Sequence, residues 1–249
     1  MSQSAKPTDG CDLLVFAAHP DDAELCCGGL LLLSARQGWR TGVVDLTRGE
    51  MGSLGTPELR VEESEAASKL LGLSVRRNLG LPDGHLRDCD EYREIIVRTI
   101  RELRPQIVIG PPAEDHHADH MAVYQLLRQS FFFSGVRKYV PDLEPWRPKA
   151  VLQHYSSRPI RPQFIVDVTD VIEPRFEAIR CYKSQFDVQQ PKDFPIRLAS
   201  SHFLDSLKGS LMHYGSQIGV QYGEPYASET PLPVGNLVGL FSHEPWKDR

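Results

Sequence analysis

Two short apolar runs, each emptying into a loop crowded with histidine and carboxylate, constrain this chain more than any other feature. The first, Leu13-Leu14-Val15-Phe16-Ala17-Ala18, is continuous rather than alternating, the pattern of a strand covered on both faces of a parallel sheet. It ends in His19-Pro20-Asp21-Asp22-Ala23-Glu24. A helix over residues 23–37, closed by Gly38, and a short strand over 41–46 complete one βαβ unit. The second run, Gln106-Ile107-Val108-Ile109, opens into a loop that carries Glu114-Asp115-His116-His117-Ala118-Asp119-His120.

The segments around these runs keep the same alternation. Thr56 can cap a helix whose first position is Pro57 and whose apolar residues recur with helical spacing up to Gly72. Tyr92, Ile95, Ile96, Thr99, Ile100 and Leu103 share one helical face that stops before Pro105. Further on, strands are expected over 149–155 and 163–168 and helices over 170–186 and 195–214, while the Gly-, Pro- and Tyr-rich tail from 215 is assigned no element. The predicted fold is α/β, a Rossmann-like three-layer sandwich with a mostly parallel central sheet, in one domain over 1–249 with the first nine residues flexible. In such sheets ligands sit beyond the carboxyl ends of the strands, so the two polar loops should face one crevice.

Composition narrows the partners. With 28 Lys plus Arg against 33 Asp plus Glu, the net charge of −5 lacks the dense basic face that nucleic acid requires. The longest apolar stretch, residues 28–33, falls far short of the roughly 20 residues of a membrane span. The N-terminal segment lacks the layout of a secretory signal, and five cysteines show no CxxC or Cys/His finger spacing, so a reduced, cytoplasmic setting is expected. Cys26 and Cys27, on the first helix, read as core residues. No GxGxxG follows the first strand, which argues against a dinucleotide enzyme.

The two loops carry the chemistry. Pro20 holds His19 extended, so one of Asp21 and Asp22 can join His19 on a metal while the other faces whatever that metal holds. His117 and His120, three residues apart at a helix start, project from one side. A third protein ligand from this loop completes the pattern of a catalytic zinc site with an open position for water, whose pKa falls to about 7. A single loop histidine is ordinarily solvated, and Asp22 or Glu24 could serve only as a helix cap. Two such loops at equivalent strand ends outweigh that reading. A metal, a free carboxylate and a spare histidine are the parts for hydrolysing an unactivated amide or ester. A phosphodiesterase could use similar parts, but two-metal phosphatases collect more ligands, which favours a mononuclear site.

Residues 18–24 and 115–120 together resemble the LmbE-like (PIG-L) superfamily of zinc-dependent deacetylases of N-acetylglucosamine derivatives. Further segments at 46–60, 78–83, 133–139 and 182–186 are similar to its bacillithiol-biosynthesis branch, so the likeness runs from about residue 12 to about 226. The resemblance implies that His19, Asp22 and His120 bind one Zn2+ and that Asp21 is the general base. It implies that His117, held by Asp119, stabilises the oxyanion and protonates the leaving amine, and that Arg60, with Glu50 and Met51, contacts substrate. The implied substrate is N-acetylglucosaminyl-malate, cleaved to acetate and glucosaminyl-malate, and the implied assembly is a homo-oligomer of the hexameric kind. Two departures stand out: Ala118 replaces a proline common in relatives, and His116 stands where arginine is frequent. Neither removes a proposed ligand. The alternatives are an amidase acting on a thiol conjugate or another N-acetylglucosamine glycoside, and a sugar- or metal-binding protein without catalysis.

Overall fold

The computed structural model describes residues 10–155, 161–187, 195–240 and 242; the first nine residues, expected to be flexible, lie outside them. The elements run β1 (Leu13–Ala17), α1 (Asp22–Arg36), β2 (Thr41–Asp45), α2 (Pro57–Leu71), β3 (Val75–Asn78), α3 (Asp90–Leu103), β4 (Ile107–Gly110), α4 (Ala118–Ser134), β5 (Ala150–His154), β6 (Phe164–Asp167), α5 (Ile172–Arg180), α6 (Lys183–Phe186), α7 (Phe203–Gln217), β7 (Gly223–Ser228) and α8 (Leu237–Leu240). The strands form one sheet of seven in the order β3-β2-β1-β4-β5-β7-β6. β1 to β5 pair in parallel, and β7 inserts antiparallel between β5 and β6.

The continuous apolar run of β1 is buried along its whole length, and its alternation divides the core. Leu13, Val15 and Ala17 face Ala23, Cys27, Leu31 and Phe176 on one side, whereas Leu14, Phe16 and Ala18 face Ile96, Ile100, Val123 and Leu127 on the other. Helices α1, α2 and α5 cover the first side and α3 and α4 the second. This is the expected three-layer, mostly parallel sandwich. Strand order reverses between β1 and β4, and at such a switch point the loops beyond both strands diverge and leave a crevice.

Local signals account for most boundaries. Thr56 Oγ1 accepts from the Leu59 N–H at 3.3 Å, with Pro57 in the first turn, and Gly72 closes α2 at φ +65°. Charged groups pin α1 to its neighbours. The Glu224 carboxylate accepts from the Gly29 and Leu30 N–H groups at 2.7 and 2.8 Å and pairs with Arg175 at 2.8 Å. A Cβ at Gly29 would lie 2.7 Å from that carboxylate, so the close approach requires glycine. Glu24 is fully buried against Arg76, at 2.6 Å, and the Tyr182 hydroxyl.

Several expectations are corrected. β3 occupies Val75-Arg76-Arg77-Asn78, where the sequence pattern marks no strand because its arginines read as surface; Arg76 in fact turns inward to pair with Asp45 and Glu24. β7 lies in the tail for which no element is expected. The helix expected over 170–186 is two helices parted at Cys181 and Tyr182, and the one expected from 195 begins at Phe203.

Candidate active site

The loops after β1 and β4 meet over the switch point. Asp21 occupies the N-cap position of α1 without a side-chain capping bond, and its φ of +108° is a left-handed setting for a residue with a side chain, which costs about 1–3 kcal/mol and is the kind of strain that collects at functional sites. Asp21 and Asp22, adjacent in sequence, diverge. The Asp21 carboxylate is buried and held by Arg60 Nη1 at 3.0 Å, while Arg60 also donates to the Pro20 carbonyl. Asp22 Oδ2 accepts from the His19 backbone N–H at 2.9 Å and lies 3.5 Å from His19 Nδ1 and 3.3 Å from His120 Nε2.

Each of these two imidazoles is steadied on its far side by a buried carboxylate. His19 Nε2 lies 2.8 Å from Asp83 and 3.4 Å from Asp119, and His120 Nδ1 lies 2.8 Å from Asp115. Asp83 also accepts from the Met51 N–H at 2.8 Å, and Asp115 accepts from the His116 and His117 N–H groups at 2.6 and 3.1 Å. His117 packs edge-on to His19 and is stacked with His120, with both ring centroids at 4.8 Å. One donor atom from each of His19, His117 and His120 lies within 4.8 Å of the others, and the same holds for His19, Asp83 and Asp119.

The electrostatics follow from burial and contact. Burial opposes a charge on His19 and His120, yet their carboxylate partners overcome it: His19 is held well above its ordinary value and His120 is pushed up to about 10. Against its own burial, Asp22 is held well below the carboxylate range by His120 and His19, and Asp83 falls to about 2 beside His19. Asp21 goes the other way. Burial pushes it up to about 7 against the pull of Arg60. Burial and the neighbouring His19 and His120 lower His117. Its Nδ1 accepts from the Asp119 backbone N–H at 3.3 Å, which leaves the ring proton on Nε2.

A cavity of about 520 Å³ opens over this cluster, lined by His19, Asp21, Asp22, Met51, His117 and His120, among others. Residues from the 196–210 segment, with Tyr155 and Gln185, also line it. Gln185 Nε2 donates to the Leu54 carbonyl at 2.9 Å, which ties the loop bearing Met51 to α6. The structure thus brings together His19, Asp21, Asp22, His117, His120, Arg60 and Met51, while other expected contacts differ. Glu50 does not line the cavity; its carboxylate accepts from the Asp83 and Arg48 N–H groups at 3.0 and 3.1 Å. Asp119 meets His117 through its backbone only, and its carboxylate accepts from Gly84 and Leu86 N–H. Arg60 reaches the cavity wall with its guanidinium committed to Asp21. Cys27 is core as expected, but Cys26 is half-buried and lines the cavity. Reading the sequence alone missed Asp83, Tyr155, Gln185 and Arg197. Only the adjacency of Asp115 to the histidine motif signalled a buried partner.

A doubly wound sheet with three histidines and buried carboxylates gathered at its switch point defines a class, the Rossmann-like α/β enzymes that act on a small ligand in a crevice. The family model for PIG-L, GlcNAc-PI de-N-acetylase, matches residues 14–131, which span both loops, and the chain belongs to that family. It is similar to a conserved protein of Thermus thermophilus whose crystal structure superposes with a TM-score of 0.83, at 38% identity over 91% of this chain and 98% of that one. It is also similar to the diacetylchitobiose deacetylase of Thermococcus kodakarensis, at 29% identity over 85% of this chain and 80% of that one. The 4-oxalmesaconate hydratase of Pseudomonas putida is 25% identical over 69% of this chain and 73% of its own. No helix of the described residues is long and apolar enough to cross a membrane.

Proposed function

We propose that this chain is a zinc-dependent N-deacetylase of N-acetylglucosamine derivatives, with N-acetylglucosaminyl-malate as its substrate. The observation that carries the metal assignment is the Asp22 oxygen lying between His19 Nδ1 and His120 Nε2, each imidazole backed by a buried carboxylate. A carboxylate behind a histidine is the usual support of a metal ligand, fixing its tautomer and raising its basicity. The same field that holds protons on His19 and His120 suits a divalent cation in their place, and two imidazoles with one carboxylate suit zinc. His19, Asp22 and His120 would hold it. Such an ion, when bound, supplies a Lewis acid and a water of lowered pKa.

The chain's own groups supply the rest. Asp21, buried and with its pKa pushed up to about 7, is suited to accept a proton from water near neutral pH. His117 presents Nε2–H to the acetamide oxygen as its carbon becomes tetrahedral, and the proton that Asp21 has taken from water passes to the nitrogen as the C–N bond breaks. Acetate and the free amine leave. Arg60 holds Asp21 in its strained position, and the cavity gives the amino sugar its place over the cluster.

The deciding assay is acetate release from N-acetylglucosaminyl-malate, N,N'-diacetylchitobiose and N-acetylglucosamine by zinc-loaded and chelator-treated protein. Zinc-dependent release that favours the malate glycoside is expected. Release that survives the chelator overturns the metal assignment, and equal or better turnover of chitobiose overturns the choice of aglycone. Hydration of 4-oxalmesaconate without acetate release from any amide assigns the chain to the hydratase chemistry of its Pseudomonas relative.

A further inference from the structure

The cavity's lining has two parts of different character. At the cluster end its carboxylates all have partners: Asp21 pairs with Arg60, Asp22 with His19 and His120, and Asp83 with His19. The wall from 196 to 210 contributes no carboxylate to the lining and contributes one full cation, Arg197. Arg197 is exposed and pairs with no carboxylate among the described residues. Its guanidinium lies over the Phe203 ring, 5.9 Å from the centroid, and Phe203 is itself stacked on Phe186 at 5.8 Å and 17°. A guanidinium seated on an aromatic face keeps its in-plane N–H groups open, and that fork matches a carboxylate two bonds at a time. His202 and the hydroxyl residues Ser200, Ser206 and Ser210 line the same wall.

We propose that Arg197 is a specificity-determining residue that binds a carboxylate on the part of the substrate beyond the amino sugar. This rests on reading the cluster as the N-deacetylase centre. At about 520 Å³ the cavity has room beyond a single sugar ring, within the range of roughly 300–1,000 Å³ typical of ligand sites. Hydrolysis places the acetamide over the cluster, so an acid on the aglycone must be met elsewhere in the cavity, where Arg197 offers an exposed cation. Attraction at Arg197 then orients the substrate one way, with its acetamide over the cluster and its acid on the 196–210 segment. A neutral oligosaccharide gains nothing from this polarity.

The test uses ligands that cannot turn over. Binding of glucosaminyl-malate, glucosamine 1-phosphate and methyl glucosaminide is measured by calorimetry on the zinc-loaded wild-type protein and on Arg197→Gln and Arg197→Lys. Glucosaminyl-malate should bind roughly 10–100-fold more weakly to Arg197→Gln, with Arg197→Lys intermediate, as expected for losing a charge-assisted bidentate contact. Methyl glucosaminide should change by less than about twofold. A loss shared equally by all three ligands, or no loss for the malate glycoside, overturns the proposal. Tighter binding of the phosphate, lost to the same degree in Arg197→Gln, overturns the carboxylate assignment in favour of a phosphate subsite. If binding depends on Arg197 but no acetate is released from the N-acetylated glycoside, the deacetylase reading fails and the subsite stands. If acetate is released with a KM indifferent to Arg197, the subsite fails and the deacetylase reading stands.

Discussion

The two walls of the cavity are built on opposite principles. The cluster wall hangs from β1 and β4, two strands buried in the sheet, and its carboxylates are almost wholly enclosed: Asp21 is 4% exposed, Asp83 5%, Asp115 3% and Asp119 1%. Each accepts from a neighbour of fixed position. The other part of the lining, residues 196–210, is a loop followed by the first turns of α7, and Arg197 and His202 stand exposed on it. Groups that must hold a proton or a cation at one atom need enclosure, because the low local dielectric that shifts their pKa also makes any displacement costly. Groups that select among aglycones need only be accessible and of the right sign. The contrast teaches that the enclosed side can be tested apart from the exposed one, and the variants below probe the enclosed side.

The largest effect is expected at Asp21. Asp21→Asn should lower kcat by about two to four decades, as for loss of a general base, while its amide oxygen keeps a partner for Arg60 and preserves the fold. Steady-state kinetics alongside elemental analysis for zinc check this, and near-normal turnover would assign proton transfer to another group. Next come the carboxylates behind the imidazoles. Asp115→Asn and Asp83→Asn should weaken metal binding by about 10–100-fold, read by chelator competition, with smaller changes in substrate KM. Unaltered affinity in both would separate these carboxylates from the metal site.

His154, at the end of β5, probes the enclosure itself. Burial pushes its pKa down to about 4, so the folded protein keeps it neutral while the unfolded chain protonates near 6.5. Its contribution is therefore present above about pH 6.5 and is lost as pH falls from there towards 4, by about 3 kcal/mol in all. Urea titrations at pH 7.5 and 5 should show a steeper decline in the wild type than in His154→Gln, and parallel declines would remove His154 from the acid sensitivity. The smallest effect is expected at Glu50. Glu50→Gln keeps an acceptor for the Asp83 or the Arg48 N–H and should cost less than about 1 kcal/mol by the same titration.

What can be read from the sequence is what is local. β1 and β4 are legible because a strand buried on both faces has no polar positions to obscure it, and α2 because Thr56, Pro57 and Gly72 mark its ends. His19, Asp21, Asp22, His117 and His120 are legible because each motif packs its donors into a few residues just past a strand. β3 is hidden by Arg76, whose charge is answered by Asp45 and Glu24 from other elements. β7 is hidden by its glycine and proline and by the long return that inserts it between two other strands. Glu50 reads as a substrate contact beside Met51, yet the turn after β2 directs its carboxylate to the Asp83 backbone instead.

The sequence by itself therefore determined the layer architecture and which histidines and carboxylates gather at the switch point, because hydrophobic period and motif spacing act over a turn or a strand. Tertiary structure alone decided which carboxylate each histidine would lean on, that Asp21 would be both strained and buried, and that Arg197 would line the same cavity as the cluster. Those relations join residues from separate elements. They exist only once the sheet order has set the loops beyond β1 and β4 side by side and α7 has packed on β7.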